Sequence, residues 1–399
     1  MGNPIGDPSA NQWRSQSERS TRRHEQPIDI FVGRGAYSDM HASIAVMNTK
    51  GGVGKSTLVL ALAETLSANH GKTVLVIDSD AQASVSSMLM TINSLHKLQT
   101  DGLTIVDFLV ATVLNGEGIA WSKFVVGNVS DVDDARSVYV LPSDMQLTLF
   151  EREVSKESLH GRLRTVISKL LAEVTGIFDI VLIDCPPGLS VLTECWLREA
   201  DYHISPTKAD YVSVCGLEVF RRFKSLNPEM GFAENLGVIV NMKDHASTSD
   251  NEYHRWLADN SENRCFTDAI PRMGSLQDAA RFRSPDRSYM AKYPGQIGVA
   301  VKALTAEVLA RLAAGKPREM RGLRAAQPTV LPSSAPAAAL AVADTMPLTP
   351  TIAAHEAFAP TVDASVVVSA NVAEPVPASV PGTFAPQVVV SKAAAQVET

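Results

Sequence analysis

The chain has 399 residues, 45% apolar and 20% charged, an ordinary balance for a globular protein with room for two or three average domains or one large α/β unit. A formal net charge of −7 excludes a whole-molecule nucleic-acid coat, so any DNA contact has to come from a local basic patch. The four cysteines (Cys185, Cys195, Cys215, Cys265) include no C-x-x-C pair, and no apolar run reaches the ~18 residues of a membrane span, so reduced thiols in a cytoplasmic protein are expected.

Residues 1–40 are polar and sprinkled with arginine (Arg14, Arg19, Arg22, Arg23, Arg34), without a signal-peptide core. They read as a mostly disordered arm, with one short extended piece at Ile28 to Val32, and as too short for a helix-turn-helix domain. From 41 to 316 apolar runs alternate with helical spacing. Strands are expected at 44–47, 73–77, 138–141, 180–183, 202–205 and 236–240, several of them continuous and β-branched, as burial on both faces requires. Helical spacing links Leu163, Val166, Leu170 and Leu171, and again Ile297, Val301, Leu304, Val308 and Leu312. This alternation predicts an α/β fold, a doubly wound, mostly parallel sheet with helices on both faces and ligands at the carboxyl ends of the strands. Residues 317–399 turn Pro/Ala-rich and read as a disordered tail.

The most specific run is Thr49-Lys50-Gly51-Gly52-Val53-Gly54-Lys55-Ser56-Thr57, between an expected strand and an expected helix. That context builds a phosphate-binding loop. Backbone N–H groups and the helix N-terminus converge on an anion, and glycines let the backbone come close. Lys55 would reach the β- and γ-phosphates and Ser56 would ligate Mg²⁺. Thr49 stands where the usual pattern has its first glycine, and a second lysine, Lys50, follows it. This departure resembles the deviant Walker A motif of the ParA/MinD ATPases, closest to the ParA-type partition ATPases. The resemblance implies that Lys50 reaches the partner's phosphates in an ATP-dependent sandwich homodimer.

Further motifs extend the resemblance in family order. In Asp78-Ser79-Asp80-Ala81-Gln82, carboxylates two apart at a strand end take different roles. By resemblance, Asp78 lies near Mg²⁺ and Lys55, and Asp80 polarises the attacking water. Ala81 replaces the family's proline, which bears on hydrolysis rate rather than binding. Ile180-Val181-Leu182-Ile183-Asp184 is a Walker B pattern that delivers Asp184 to the Mg²⁺ shell, and Pro186-Pro187-Gly188 resembles the switch that senses the γ-phosphate. Ala200 to Pro206, with Asp210 and Gly216-Leu217, matches the next strand and helix. Asn241 matches the residue that recognises adenine, and Ile270-Pro271-Arg272 the segment around the base.

A ParA-like reading implies an Mg-dependent ATP hydrolase that binds DNA non-specifically when dimeric, answers to a ParB-like activating partner and drives plasmid or chromosome partition. It would be cytoplasmic, and nucleoid-associated when ATP-bound. Candidate basic patches are Arg221, Arg222 and Lys224; Arg281, Arg283 and Arg287; and Lys316, Arg318, Arg321 and Arg324. Each is also readable as an ordinary solvated face. The alternative is a MinD-like or other positioning or regulatory ATPase at a membrane or protein scaffold, although the proline-broken, slightly acidic C-terminus lacks a basic amphipathic anchor. A metallocluster carrier on the same fold would need paired cysteines, which the chain does not have.

Overall fold

A computed structural model describes residues 41–315. The expected arm with its Ile28 to Val32 piece, the tail, and Lys316, Arg318, Arg321 and Arg324 lie outside the described residues.

The chain opens with β1 (Ala42–Val46), α1 (Lys55–His70) and β2 (Val74–Asp78), followed by the short helices α2 (Ser84–Leu89), α3 (Ile92–Thr100) and α4 (Ile105–Leu109). Next come β3 (Val126–Gly127), β4 (Val138–Leu141), α5 (Leu147–Val154), α6 (Glu157–Thr175), β5 (Ile180–Asp184) and α7 (Val191–Glu199). Then follow β6 (Tyr202–Thr207), α8 (Tyr211–Leu226), β7 (Glu234–Val240), α9 (Thr248–Asp259), α10 (Gly274–Ala279), α11 (Tyr289–Lys292) and α12 (Gly295–Ala314). All six expected strands are present. The sheet runs β3-β4-β2-β5-β1-β6-β7, parallel except for β3, which pairs antiparallel with β4. A two-residue strand such as β3 carries too little periodicity to be read from sequence.

In β1, β2 and β5 the residues alternate between two cores, as the period of a pleated strand demands. Ile44, Val46, Val74, Val76, Ile180 and Leu182 face the layer built on α1 and α12. Ala45, Leu75, Ile77, Val181 and Ile183 face the layer of α4, α6 and α7. Continuous apolar strands are therefore needed, since no strand face is left to water. In α6 the buried stripe is Leu163, Ile167, Leu170, Leu171 and Val174, so Val166 falls at its margin rather than in it. The α12 stripe Ile297, Val301, Leu304, Val308 and Leu312 is wholly buried, consistent with a core-packing helix.

One polar cluster interrupts the first core. Lys292 of α11 is fully buried and donates to Glu64 of α1 at 2.7 Å and to Asp131 of the β3–β4 connection. Tyr293 and Ser130 also donate to Glu64, and Arg287 pairs with Asp131. Burial pushes Glu64 up, and the Lys292 ammonium opposes that. A buried ion pair whose hydrogen bonds are satisfied adds modest net stability, but removing one partner strands the other charges. Lys292→Met is expected to cost about 3–5 kcal/mol in denaturant unfolding, because buried Glu64 would lose its counter-ion and Asp131 would keep only Arg287.

Candidate functional site

Strand register assembles the site. In the β2–β5 pair Asp78 stands opposite Asp184, and in the β1–β5 pair Asp184 stands opposite Val46, just before the glycine-rich loop. Both carboxylates continue the parity of Val76 and Leu182, so they point to the side of the sheet that carries α1. The loop, both aspartates, Asp80 and Asn241 thus meet at the carboxyl ends of the central strands, where β1 and its neighbours depart in opposite directions along the sheet.

The glycine-rich loop is shaped by two left-handed residues, Gly52 at φ 72° and Gly54 at φ 84°. Gly54 forms the N-cap of α1, so the first N–H groups of a 16-residue helix open toward the loop. Asn48 braces its entrance, donating to the Pro206 carbonyl at 2.7 Å and accepting from the Lys50 N–H at 2.9 Å. Thr49 donates to the Gly216 carbonyl, and a Cβ at Gly216 would stand 3.0 Å from the Thr49 hydroxyl. The threonine that replaces the usual glycine is thus packed against α8, so that a side chain at 216 would press on it.

Lys55 is buried, with its ammonium 3.4 Å from the Lys50 carbonyl. Burial lowers its pKa, while Asp184, Cys185 and Asp80 oppose that shift. Lys50 turns to its own chain, bonding Asp210 at 3.3 Å and Ser213 at 3.0 Å at the N-terminus of α8. Burial raises the Asp210 pKa, but bonds from Ser213 and Lys50 outweigh it and hold the carboxyl below its ordinary value.

The three aspartates have different surroundings. Asp78 accepts from the Ser86 N–H at 2.9 Å, the Ser86 hydroxyl at 2.6 Å and the Asp80 N–H at 3.2 Å. Asp184 is fully buried, and the Ser56 hydroxyl is the group that approaches its carboxylate, without a well-formed hydrogen bond. Burial raises both pKa values, and for Asp184 the neighbouring Asp78 adds to the rise; the Ser56 hydroxyl and Lys55 favour its charged form. Asp80 is half-exposed, and its Oδ1 accepts from the Gln82 N–H at 3.0 Å. An unsatisfied buried carboxylate beside a hydroxyl, a lysine and an anion-binding loop is a donor set suited to Mg²⁺. Among the described residues no cage of three or more His, Cys, Asp or Glu forms, and Mg²⁺ bound through one or two carboxylates, water and phosphate does not need one.

Asn241 is buried at the end of β7. Its amide donates to the Val53 carbonyl at 2.8 Å and accepts from the Met242 N–H at 2.9 Å, so it locks the glycine-rich loop to the sheet. The Ile270–Arg272 segment lies alongside, with Pro271 bridged to Lys243. Sequence reasoning missed Asn48 and Ser86. A lone asparagine or serine carries no pattern, and only the tertiary contact reveals either.

The basic patches separate into engaged and free groups. Arg221 pairs with Glu218 and Glu262. Lys224 donates to the Ala233 carbonyl, and burial lowers its pKa to about 8. Arg287 is tied to Asp131 and to the Ala279 and Arg281 carbonyls. Arg222, Arg281 and Arg283 are exposed.

Gly54 gives the sharpest test of the loop. A Cβ there would run into the Asn241 amide nitrogen, and φ 84° is a conformation that only glycine adopts cheaply. Gly54→Ala is expected to abolish binding of a fluorescent ATP analogue while the unfolding transition stays cooperative; retained binding would show that the loop is not held in this shape.

The comparisons agree with this geometry. A family model described as an AAA domain matches residues 41–230. Chromosome partitioning protein ParA of Caulobacter vibrioides is 29% identical over 274 residues, 67% of this chain and 94% of that protein. An uncharacterized protein of Pseudomonas putida is 30% identical over 277 residues, 67% of this chain and 94% of its own. Among solved structures, cobyrinic acid a,c-diamide synthase from Mycobacterium smegmatis with bound ADP and magnesium aligns with a TM-score of 0.54 and 25% identity, covering 70% of this chain and 98% of that one. The likeness to ParA runs through nearly the whole length of that relative. The chain belongs to the ParA-type ATPases of the deviant Walker A family.

Proposed function

We propose that this chain takes ATP and Mg²⁺, hydrolyses ATP to ADP and phosphate, and uses the cycle to drive plasmid or chromosome partition. The observation that carries this reading is the buried, unpartnered Asp184 beside Ser56 and Lys55 at the mouth of the glycine-rich loop. The ATPase domain comprises residues 41–316, with residues 1–40 and 317–399 as flanking segments.

In this reading the N–H groups of Gly51, Gly52, Val53 and Gly54, with Lys55, Ser56 and Thr57 at the start of α1, hold the phosphate chain. Ser56 and Asp184, with Asp78 behind them, would hold Mg²⁺, which neutralises charge on the β- and γ-phosphates. The Asp78 oxygens are occupied by Ser86 and Asp80, so Asp78 acts through the shape of the site more than as a direct ligand. Asp80 keeps one carboxylate oxygen free of the Gln82 N–H to orient the water. That water attacks the γ-phosphorus as the bond to the β–γ bridging oxygen breaks, with the electron pair leaving on ADP. Lys55 stabilises the charge that spreads over the transferring group. Asn241 retains one N–H and one lone pair beyond its bonds to Val53 and Met242 for the adenine edge, with Pro271 against the base.

ATP closes two chains into a sandwich homodimer in which Lys50 leaves Asp210 and Ser213 and reaches the partner's phosphates. The dimer then binds DNA without sequence preference. Two weak patches gain effective concentration when joined, and the exposed Arg222, Arg281 and Arg283 are the described groups suited to phosphate contact. A ParB-like activating partner speeds turnover by ordering the switch at Pro186-Pro187-Gly188, since this chemistry is nearly all positioning. The chain would be cytoplasmic and nucleoid-associated when ATP-bound. Among the described residues no helix is long and apolar enough to cross a membrane.

Two experiments test the cycle. Lys50→Ala is expected to bind nucleotide as a monomer and to give no dimer by light scattering with ATP; a dimer would remove Lys50 from the partner's phosphates. Asp80→Ala, stalled with ATP, is expected to bind random-sequence duplex DNA with ATP and not with ADP. Its affinity should fall with a log–log salt slope of about −0.9 per phosphate contact. An ATP dimer that binds no DNA would instead assign the chain to a membrane or protein scaffold.

A further inference from the structure

We propose that Trp196 is a positioning residue for hydrolysis, acting through Ser79 on Asp80. Trp196 is fully buried in α7, the helix that follows the Pro186-Pro187-Gly188 segment, and its indole N–H donates to the Ser79 hydroxyl at 2.7 Å. Ser79 is the residue between Asp78 and Asp80. Its side chain turns to the α7 side of the sheet, while Asp78 before it turns to the α1 side. The Ser79 N–H donates to the Asp184 carbonyl at 3.0 Å, so the same residue is tied to β5 through its backbone and to α7 through its side chain. The turn that carries Asp80 is therefore held from below by a helix lying on the opposite face from the phosphates.

The other end of α7 is fixed as well. Ser190 caps the helix by accepting from the Thr193 N–H, and its hydroxyl donates to Glu151 of α5 at 2.6 Å. Movement of the switch segment thus passes into α7 at Ser190 and reaches the Asp78–Asp80 turn at Trp196. Ala81 leaves that turn without the fixed φ a proline would give, and the Trp196–Ser79 bond supplies a constraint from a different direction. Proper placement of Asp80 matters because a shift of about 1 Å in a positioning group lowers turnover by up to about a hundredfold.

This inference rests on the reading of Asp80 as the group that orients water, and the test separates the two. Turnover and KM for ATP are measured in Trp196→Phe, Ser79→Ala, the double variant and Asp80→Ala, each as the full chain. Trp196→Phe keeps the ring and removes the donor; Ser79→Ala removes the acceptor with a smaller change in the core. Each single variant is expected to lower kcat about tenfold with KM within about twofold of wild type, and the double variant to lose no more than either single one. Loss of thermal stability with kcat unchanged in both single variants would overturn the proposal, as would multiplied losses in the double variant. If Trp196→Phe does not fold, Ser79→Ala alone decides between these outcomes. Normal turnover in Asp80→Ala would remove the reading of Asp80 and this proposal with it. Normal turnover in Trp196→Phe and Ser79→Ala, with Asp80→Ala inactive, would remove only the role of Trp196.

Discussion

Two carboxylates, Asp78 and Asp184, end adjacent parallel strands at the same register and point to the same side of the sheet, away from water. Withdrawing like charges from solvent at this separation is unfavourable, and both pKa values rise in response. The surrounding architecture answers that cost unevenly. Asp78 is satisfied by Ser86 and the Asp80 backbone, whereas Asp184 is left to Lys55, Ser56 and whatever cation the loop brings with its phosphates. Lys55 and Ser56, which follow the bend at Gly54, are the residues of the loop and α1 that act on the Asp184 carboxylate, and Asn241 holds the loop itself through Val53.

The Lys292 cluster shows the same physics with the opposite outcome. There Glu64 and Asp131 are buried just as deeply, yet Lys292, Tyr293, Ser130 and Arg287 satisfy them from within the chain. Glu64 lies on α1, the helix that begins at Lys55, so the helix is anchored at its middle by a closed polar network and presents an open one at its N-terminus. Stability and ligand binding are thus assigned to different turns of one helix. A complete network resists change, and an incomplete one waits for a ligand.

Lys50 is the residue whose surroundings depart most from the role its motif implies. In the single chain it is bound to Asp210 and Ser213 at the cap of α8, so reaching another chain's phosphates requires giving up those bonds. Asp210 also caps α8 through the Ser213 N–H, so that helix end would stay intact if the lysine left. The pair is partly exposed, and because exposed ion pairs contribute little, giving it up would be inexpensive.

The linear sequence determined what depends on neighbours along the chain. Six buried strands followed from short continuous apolar runs. The phosphate loop followed from glycines whose positive φ and lack of Cβ no other residue supplies. The start of α1 just after Gly54 followed from the same loop, whereas its end at Gly71 came from the structure. The position of Val166, the two-residue β3 and the use of each arginine were not legible, since burial margins, edge pairing and salt bridges depend on which elements pack together. Only the tertiary structure decided that Asp78 is held by Ser86 while Asp184 faces only Ser56 and Lys55, that Asn241 bolts the loop to β7, and that Arg287 and Lys224 are engaged inside the fold. Trp196 and Lys292 carry no local pattern, because a hydrogen bond across 117 or 228 residues leaves no spacing to read.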